Sequence, residues 1–219
     1  MYRLTDQSRG GIVITENEKS IDRREQLIAI AIQLFAMNGY HKTKIADIVR
    51  EAGIAQGTFY WYFKSKESIA LEIIQSGQAQ ILAVVSKGYR TTPGTVADAV
   101  ASSEKLFEDL FTFSKDNRYL MELIIKGIDS EESIKHLIFE TRIKIEEAFK
   151  NNVKRAMDLG ILPEKDPTIQ AALLMSLMEG MLARWLFGPV TYESAVKEQS
   201  ANDLAKELVK FEFHGLLGI

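Results

Sequence analysis

The stretch TKIADIVREAGIAQGTFYWYF, residues 43–63, constrains the fold of this chain more than any other. It holds two short helical patterns separated by one glycine. Thr43 stands where an N-cap belongs, and Ile45, Ile48 and Val49 form one apolar face after it. Gly53 stands where the chain must turn out of the helix. From about Gln56 a second helix runs to Phe63. Two short helices joined by a tight glycine-containing turn make a helix-turn-helix, whose second helix can enter a DNA major groove. Ile48, Ala52, Ile54 and Phe59 are placed to pin the two helices together.

The second helix ends in five consecutive aromatic residues, Phe59 to Phe63. Phe59 and Phe63 are four apart and share one face, so they are expected inward. Tyr60, Trp61 and Tyr62 spread over about 300° of a helix that turns 100° per residue. They cannot all point into one small core. Gln56, Thr58, Tyr60 and Tyr62 bring an amide and hydroxyls, Gly57 lets backbone approach a phosphate, and Lys64 and Lys66 bring charge. The charge distribution agrees. The whole chain carries −3, yet residues 19–70 hold eight basic against five acidic side chains. A basic segment in an acidic chain suggests a local anionic partner.

The remainder reads as helices with consistent punctuation. Residues 1–19 show no sustained period and are expected to form a flexible leader. Asp22 to Asn38 has a helical apolar face, with Ser20 or Asp22 as its cap and Gly39 at its end. Ser65 caps a long helix from Lys66 to about Lys87. Further helices are expected over Val96–Phe113, Asn117–Ile125, Ser130–Leu159, Pro167–Phe187 and about Ala201–Leu217. Asp129 or Ser130 caps the third of these and Gly160 stops it, while Pro167 follows Asp166 at a first helical position. No segment alternates with period two between hairpin turns. The fold class is all-α, with nine helices.

Several chemistries are excluded or unsupported. The chain has no cysteine and only three scattered histidines, so no metal site, thiol nucleophile or disulfide is proposed. GTVADAV lacks the lysine and glycine spacing of a phosphate loop. No catalytic constellation and no cofactor motif is present, and no secretory signal is visible. The apolar run IQAALLMSLMEGMLARWLF contains Glu179 and Arg184, which favours a buried helix over a membrane span. A cytoplasmic protein that binds no membrane is expected.

Residues 22–74 closely resemble the DNA-binding domain of the TetR (tetracycline-repressor-like) transcription regulators. LF..NGY, T..DI..EAGI, GTFYWYF and SKE occur in order and with that family's spacing. The resemblance implies a helix-turn-helix domain of three helices over residues 20–66. It also implies an effector-binding and dimerisation domain over residues 67–219, although no motif is recognised after about residue 75. By the same resemblance Thr43 and Lys44 meet phosphate, and Gln56, Gly57, Thr58, Tyr60, Trp61 and Tyr62 approach bases or phosphates. Lys64 and Lys66 add charge. Two departures stand out. Ala55 occupies a position where the family commonly has a capping serine or threonine. Ala46 occupies the position that can carry a base-reading arginine.

The resemblance further implies a homodimer on a palindromic double-stranded operator, and a small effector. The Pro167–Phe187 helix is apolar nearly all round and must be buried on several faces. Leu173, Leu177 and Met181 on it, with Leu204, Leu208 and Phe211 on the last helix, are the expected dimer contacts. Phe107, Leu110, Phe111, Tyr119, Leu123, Phe139 and Met178 are the candidate effector lining. Glu179 and Arg184 lie in an apolar helix, where a buried charge needs a partner: another helix, the dimer seam or a ligand. The methionines favour a mainly hydrophobic ligand. The expected function is a repressor released from its operator by that ligand. An effector-independent DNA-binding protein and a hydrophobic-ligand carrier are the alternatives.

Overall fold

The computed structural model describes residues 16–88, 91–188 and 195–215, with side chains from residue 22 onward. Among the described residues every regular element is helical: α1 (Glu16–Asn38), α2 (Ile45–Glu51), α3 (Gln56–Tyr62), α4 (Lys66–Val85), α5 (Val96–Asp116), α6 (Arg118–Lys126), α7 (Glu132–Asp158), α8 (Pro167–Phe187), α9 (Ala195–Glu198) and α10 (Ala201–His214). The count exceeds the expected nine by α9, whose four residues are too few to carry a period. It is tied down beside the end of α8. The Trp185 indole donates to the Gln199 carbonyl at 3.1 Å, and Lys197 Nζ donates to that of Gly188 at 2.9 Å.

The caps explain most boundaries. Ser65 accepts the Ser68 N–H at 3.0 Å and starts α4, and Asp166 accepts that of Thr168 at 2.9 Å ahead of Pro167. Gly53 and Gly160 take φ of +63° and +71° at helix ends, where a side chain would be strained. Three expectations fail. Helix α1 begins at Glu16, so Ser20 and Asp22 lie within it rather than capping it. The expected leader therefore shortens, and its residues 1–15 lie outside the described residues, as does the expected extension of α10 to Leu217. Glu131, not Asp129 or Ser130, is the N-cap residue of α7, without a side-chain cap bond. Ser130 is buried and turns its hydroxyl back to the Ile128 carbonyl at 3.4 Å.

One apolar cluster runs from Leu27 in α1 to Val209 in α10. Helix α7 packs against α4 and α8, α10 packs against α5, and α1 packs against α2, α4 and α6. Phe107 and Phe149 stack at 6.0 Å between ring centres, and Phe111 meets Trp185 edge-on at 5.7 Å. The far end of α4 is pinned to α7, where Asn152 donates to the Val85 carbonyl at 2.7 Å.

Candidate nucleic-acid interface

Helices α2 and α3 owe their geometry to a few local bonds. The Asp47 carboxylate accepts the Lys44 N–H at 3.0 Å and the Arg50 guanidinium at 2.8 Å. That places an acid in the first turn of α2, and those two bonds hold the Asp47 carboxyl below its ordinary range. At the other end the Ile54 N–H closes on the Val49 carbonyl at 3.0 Å, over the left-handed Gly53. Ala55 is the N-cap residue of α3 and provides no cap bond, as its side chain dictates.

The aromatic run divides much as its angular spread requires. Phe59 and Phe63 are buried, with ring centres 5.7 Å apart, and the Arg24 guanidinium lies 5.0 Å from the Phe63 ring centre. Tyr60 is 51% exposed and Trp61 88% exposed, whereas Tyr62 is half-buried against the apolar cluster. Gln56, Gly57, Lys44 and Lys64 are exposed and Thr58 is half-buried. A methyl group built on Gly57 meets no atom within 4 Å, so nothing inside this chain demands a glycine there.

Two of the expected phosphate ligands are placed differently. Thr43 is buried, and its hydroxyl donates to the carbonyls of Gly39 at 2.9 Å and Leu34 at 3.2 Å. It closes the end of α1 instead of capping α2, whose N-cap residue is Lys44. Lys66 is half-buried and donates to the Tyr40 carbonyl at 2.8 Å and the Thr43 carbonyl at 3.1 Å. Its charge is spent inside the domain. Lys42 and Arg50, which the sequence reading passed over, are exposed cations on the same domain; Arg50 stands one turn after the exposed Ala46.

The other expected sites divide as well. Phe107, Leu110, Phe111, Leu123 and Met178 are buried together in the interior, and Tyr119 is half-buried. Phe139 is 62% exposed and lines no interior. Arg184 is also exposed, so it presents no buried charge to explain. Glu179 is half-buried and pairs with Arg142 of α7 at 2.7 Å. On the outside of α8, Leu173 is 59% exposed, Ile169 64% exposed and Leu177 also open, with Phe211 of α10 beside them. Leu177, Met181 and Phe211 border a cleft of about 380 Å³. Leu208 borders the same cleft, although it and Leu204 are themselves buried on a helix that packs against α5 and α8.

A short anchored helix that carries exposed polar and aromatic side chains, preceded by a glycine turn and a second short helix, defines a helix-turn-helix DNA-binding protein. Residues 27–73 match the family model described as bacterial regulatory proteins, tetR family. Residues 27–73 are thus a TetR-family DNA-binding domain, and the chain's TetR-family relatives are transcription regulators and not enzymes. The chain is 29% identical over 185 residues to the fatty acid metabolism regulator protein of Bacillus subtilis, covering 84% of this chain and 87% of that one. It is 23% identical over 184 residues to the transcriptional regulator AcrR of Shigella flexneri, covering 80% and 84%. Among solved structures, the fatty acid degradation regulator FadR of Bacillus halodurans superposes with a TM-score of 0.71 at 17% identity, covering 89% of this chain and 96% of that one. FadR of Bacillus subtilis in complex with stearoyl-CoA superposes at 0.68 and 18% identity, covering 88% and 98%. These likenesses extend the shared fold over the whole body.

Proposed function

We propose that this protein is a homodimeric cytoplasmic repressor that leaves a palindromic operator when a mainly hydrophobic effector binds. Residues 20–66 act as the DNA reader and residues 67–219 as the effector and dimer body. The observation that carries the reading is α3 itself: Phe59 holds it down while Gln56, Gly57, Tyr60 and Trp61 face outward. In the reader these four act on DNA with Thr58, Tyr62, Lys44 and Lys64.

The effector reading rests on the apolar interior around Phe107, Leu110, Phe111, Tyr119, Leu123 and Met178. The similarity to a fatty acid metabolism regulator, and to a FadR structure that holds stearoyl-CoA, makes a long-chain acyl thioester the first ligand class to test. Such a ligand shifts the protein away from its operator only if it prefers a conformation in which the two readers no longer fit their half-sites. The open face of Ile169, Leu173, Leu177 and Phe211 supports dimerisation through α8 and α10.

The test is operator selection from a random duplex library with purified protein, then titration of the selected complex with acyl thioesters of graded chain length. Release at saturating ligand supports the reading. Binding of the ligand with unchanged operator affinity leaves an effector-independent regulator.

A further inference from the structure

Helix α3 carries the outward residues but is poorly equipped to hold its own orientation. It has seven residues, fewer than an isolated helix needs in water, and its N-cap residue Ala55 gives no cap bond. Its main helix neighbour is α2. Its orientation therefore depends on two buried rings, Phe59 in its body and Phe63 where it ends. Tyr60 and Trp61 lie between those rings. The last bond of the helix runs from the Phe63 N–H to the Phe59 carbonyl at 3.0 Å.

A side chain from another helix reaches the Phe63 end. Arg24 of α1 lies with its guanidinium over the Phe63 ring, 5.0 Å from the ring centre. Both of its terminal nitrogens donate to the Glu72 carboxylate of α4, Nη1 to Oε1 and Nη2 to Oε2. Arg24 and Glu72 are both half-buried. A two-pronged bond to a carboxylate fixes the plane of a guanidinium as well as its position. Helices α1 and α4, which pack against each other, thus close on the end of α3 through one oriented cation. The charge of Arg24 is engaged by Glu72 rather than left free for a phosphate.

We propose that Arg24 is a positioning residue for DNA reading: locked by Glu72, its guanidinium clamps the Phe63 ring and sets the angle at which Tyr60 and Trp61 meet DNA. Apolar packing alone keeps Phe63 inside but leaves its ring free to tilt; the oriented cation above it removes that freedom. This role rests on the DNA reading proposed for α2 and α3, and it needs neither an effector nor release.

Three variants of the full chain isolate the clamp. Arg24→Lys keeps the charge but has neither the fork nor the flat face. Arg24→Gln removes the charge. Glu72→Gln keeps the volume of the acid and unlocks the guanidinium. On the selected operator each is expected to weaken binding about fivefold, the upper end for a well-oriented surface ion pair, at an unchanged salt slope. For Glu72→Gln that sign is opposite to plain electrostatics, because removing an acid from the reader favours binding to a polyanion. Arg24→Lys combined with Glu72→Gln is no weaker than the weaker single variant, because both break the same contact. In the free protein, backbone hydrogen exchange at Phe63 is expected to quicken about fivefold in each variant, as a local opening of that size requires, while Ile81 in the far half of α4 keeps its rate. Equal or tighter operator binding by Glu72→Gln overturns the proposal, as does a salt slope flattened by about one unit in Arg24→Gln. Unchanged exchange at Phe63 overturns it too, and so does an equal acceleration at Ile81, which would make the pair a general stabiliser. Failure to select any operator is a failure of the DNA-reading role, and the exchange rates still decide the clamp.

Discussion

The Lys66 ammonium lies over the face of the Tyr40 ring at 4.0 Å and donates at once to the carbonyls of Tyr40 and Thr43. Those two carbonyls belong to the turn that follows α1, where they have no complete helical ladder to satisfy them. A lysine so engaged is a structural cross-link, not a phosphate ligand in waiting. Lys66→Ala is therefore expected to lower stability by about 1–2 kcal/mol. In a chain of this size that is a melting shift of about 2–8 °C. The salt dependence of operator binding should keep its slope, because no phosphate contact is lost. Lys44→Ala or Lys64→Ala, at exposed cations, should flatten the slope by about one unit of log K against log salt without a melting shift. Salt-titrated binding and thermal melts on the three variants settle the assignment; a flattened slope in Lys66→Ala would reverse it.

Within α3 the two classes of aromatic should behave oppositely. Phe59 is fully buried, and Phe59→Ala is expected to cost about 3–5 kcal/mol. Trp61 and Tyr60 stand mostly in solvent, so their alanine variants should melt normally and lose operator affinity. A loss of about 1–3 kcal/mol each is the scale of an aromatic or hydroxyl contact to nucleic acid. Normal operator binding by Trp61→Ala would remove that residue from the interface.

These contrasts show what was legible in the sequence. Local features were: Ser65 as a cap, Gly53 as a left-handed turn, and Ala55 as a cap position without a cap all follow from neighbours a few residues away. Phe59 was legible because a short helix has only one side on which to anchor. Thr43 and Lys66 were misassigned because their side chains reach back to the end of α1, and spacing does not encode that reach. Phe139 was misassigned for a related reason: its helix has apolar residues on more than one side, and which side meets α4 and α8 is decided by packing alone.

The missing cap invites a gain of stability. Ala55 has φ −72° and ψ 147°, the extended backbone of an N-cap residue, and it is exposed. A serine hydroxyl there can accept an N–H from the first turn of α3. Ala55→Ser is expected to raise stability by about 1 kcal/mol, measured by denaturant unfolding. An unchanged midpoint would mean that the first N–H groups of α3 are already satisfied by water.

Asp47 supplies a pH-dependent test of α2. Its folded carboxyl is held low, first by the Lys44 N–H and then by Arg50, relative to an ordinary value of 3.8. A lowered folded pKa contributes stability that is fully present above the ordinary value and is lost as pH falls through the folded one. The Asp47→Asn variant should melt below the wild type at neutral pH. The gap should close in strong acid, where both side chains are neutral. A gap that persists unchanged in acid would assign the effect to something other than charge.

The open face of α8 and α10 is bordered by residues of unequal exposure. Leu173 and Leu177 stand on the outside of α8 with Phe211 of α10, whereas Leu208, which borders the same cleft, and Leu204 are buried within the chain. An exposed apolar face of this kind is costly in a monomer unless a second copy covers it. Charged substitution at Leu173 and Leu177 together is expected to leave the helical signal and melting cooperativity intact. It should convert the dimer to a monomer by light scattering at micromolar concentration. Operator affinity should then collapse, since each reader alone binds a half-site. Leu208→Ala should instead cost about 2–5 kcal/mol of stability, with the dimer retained at temperatures where the protein is folded. Wild-type protein that is already monomeric at micromolar concentration would refute the dimer. A dimer that survives Leu173→Glu/Leu177→Glu would move the seam to another face.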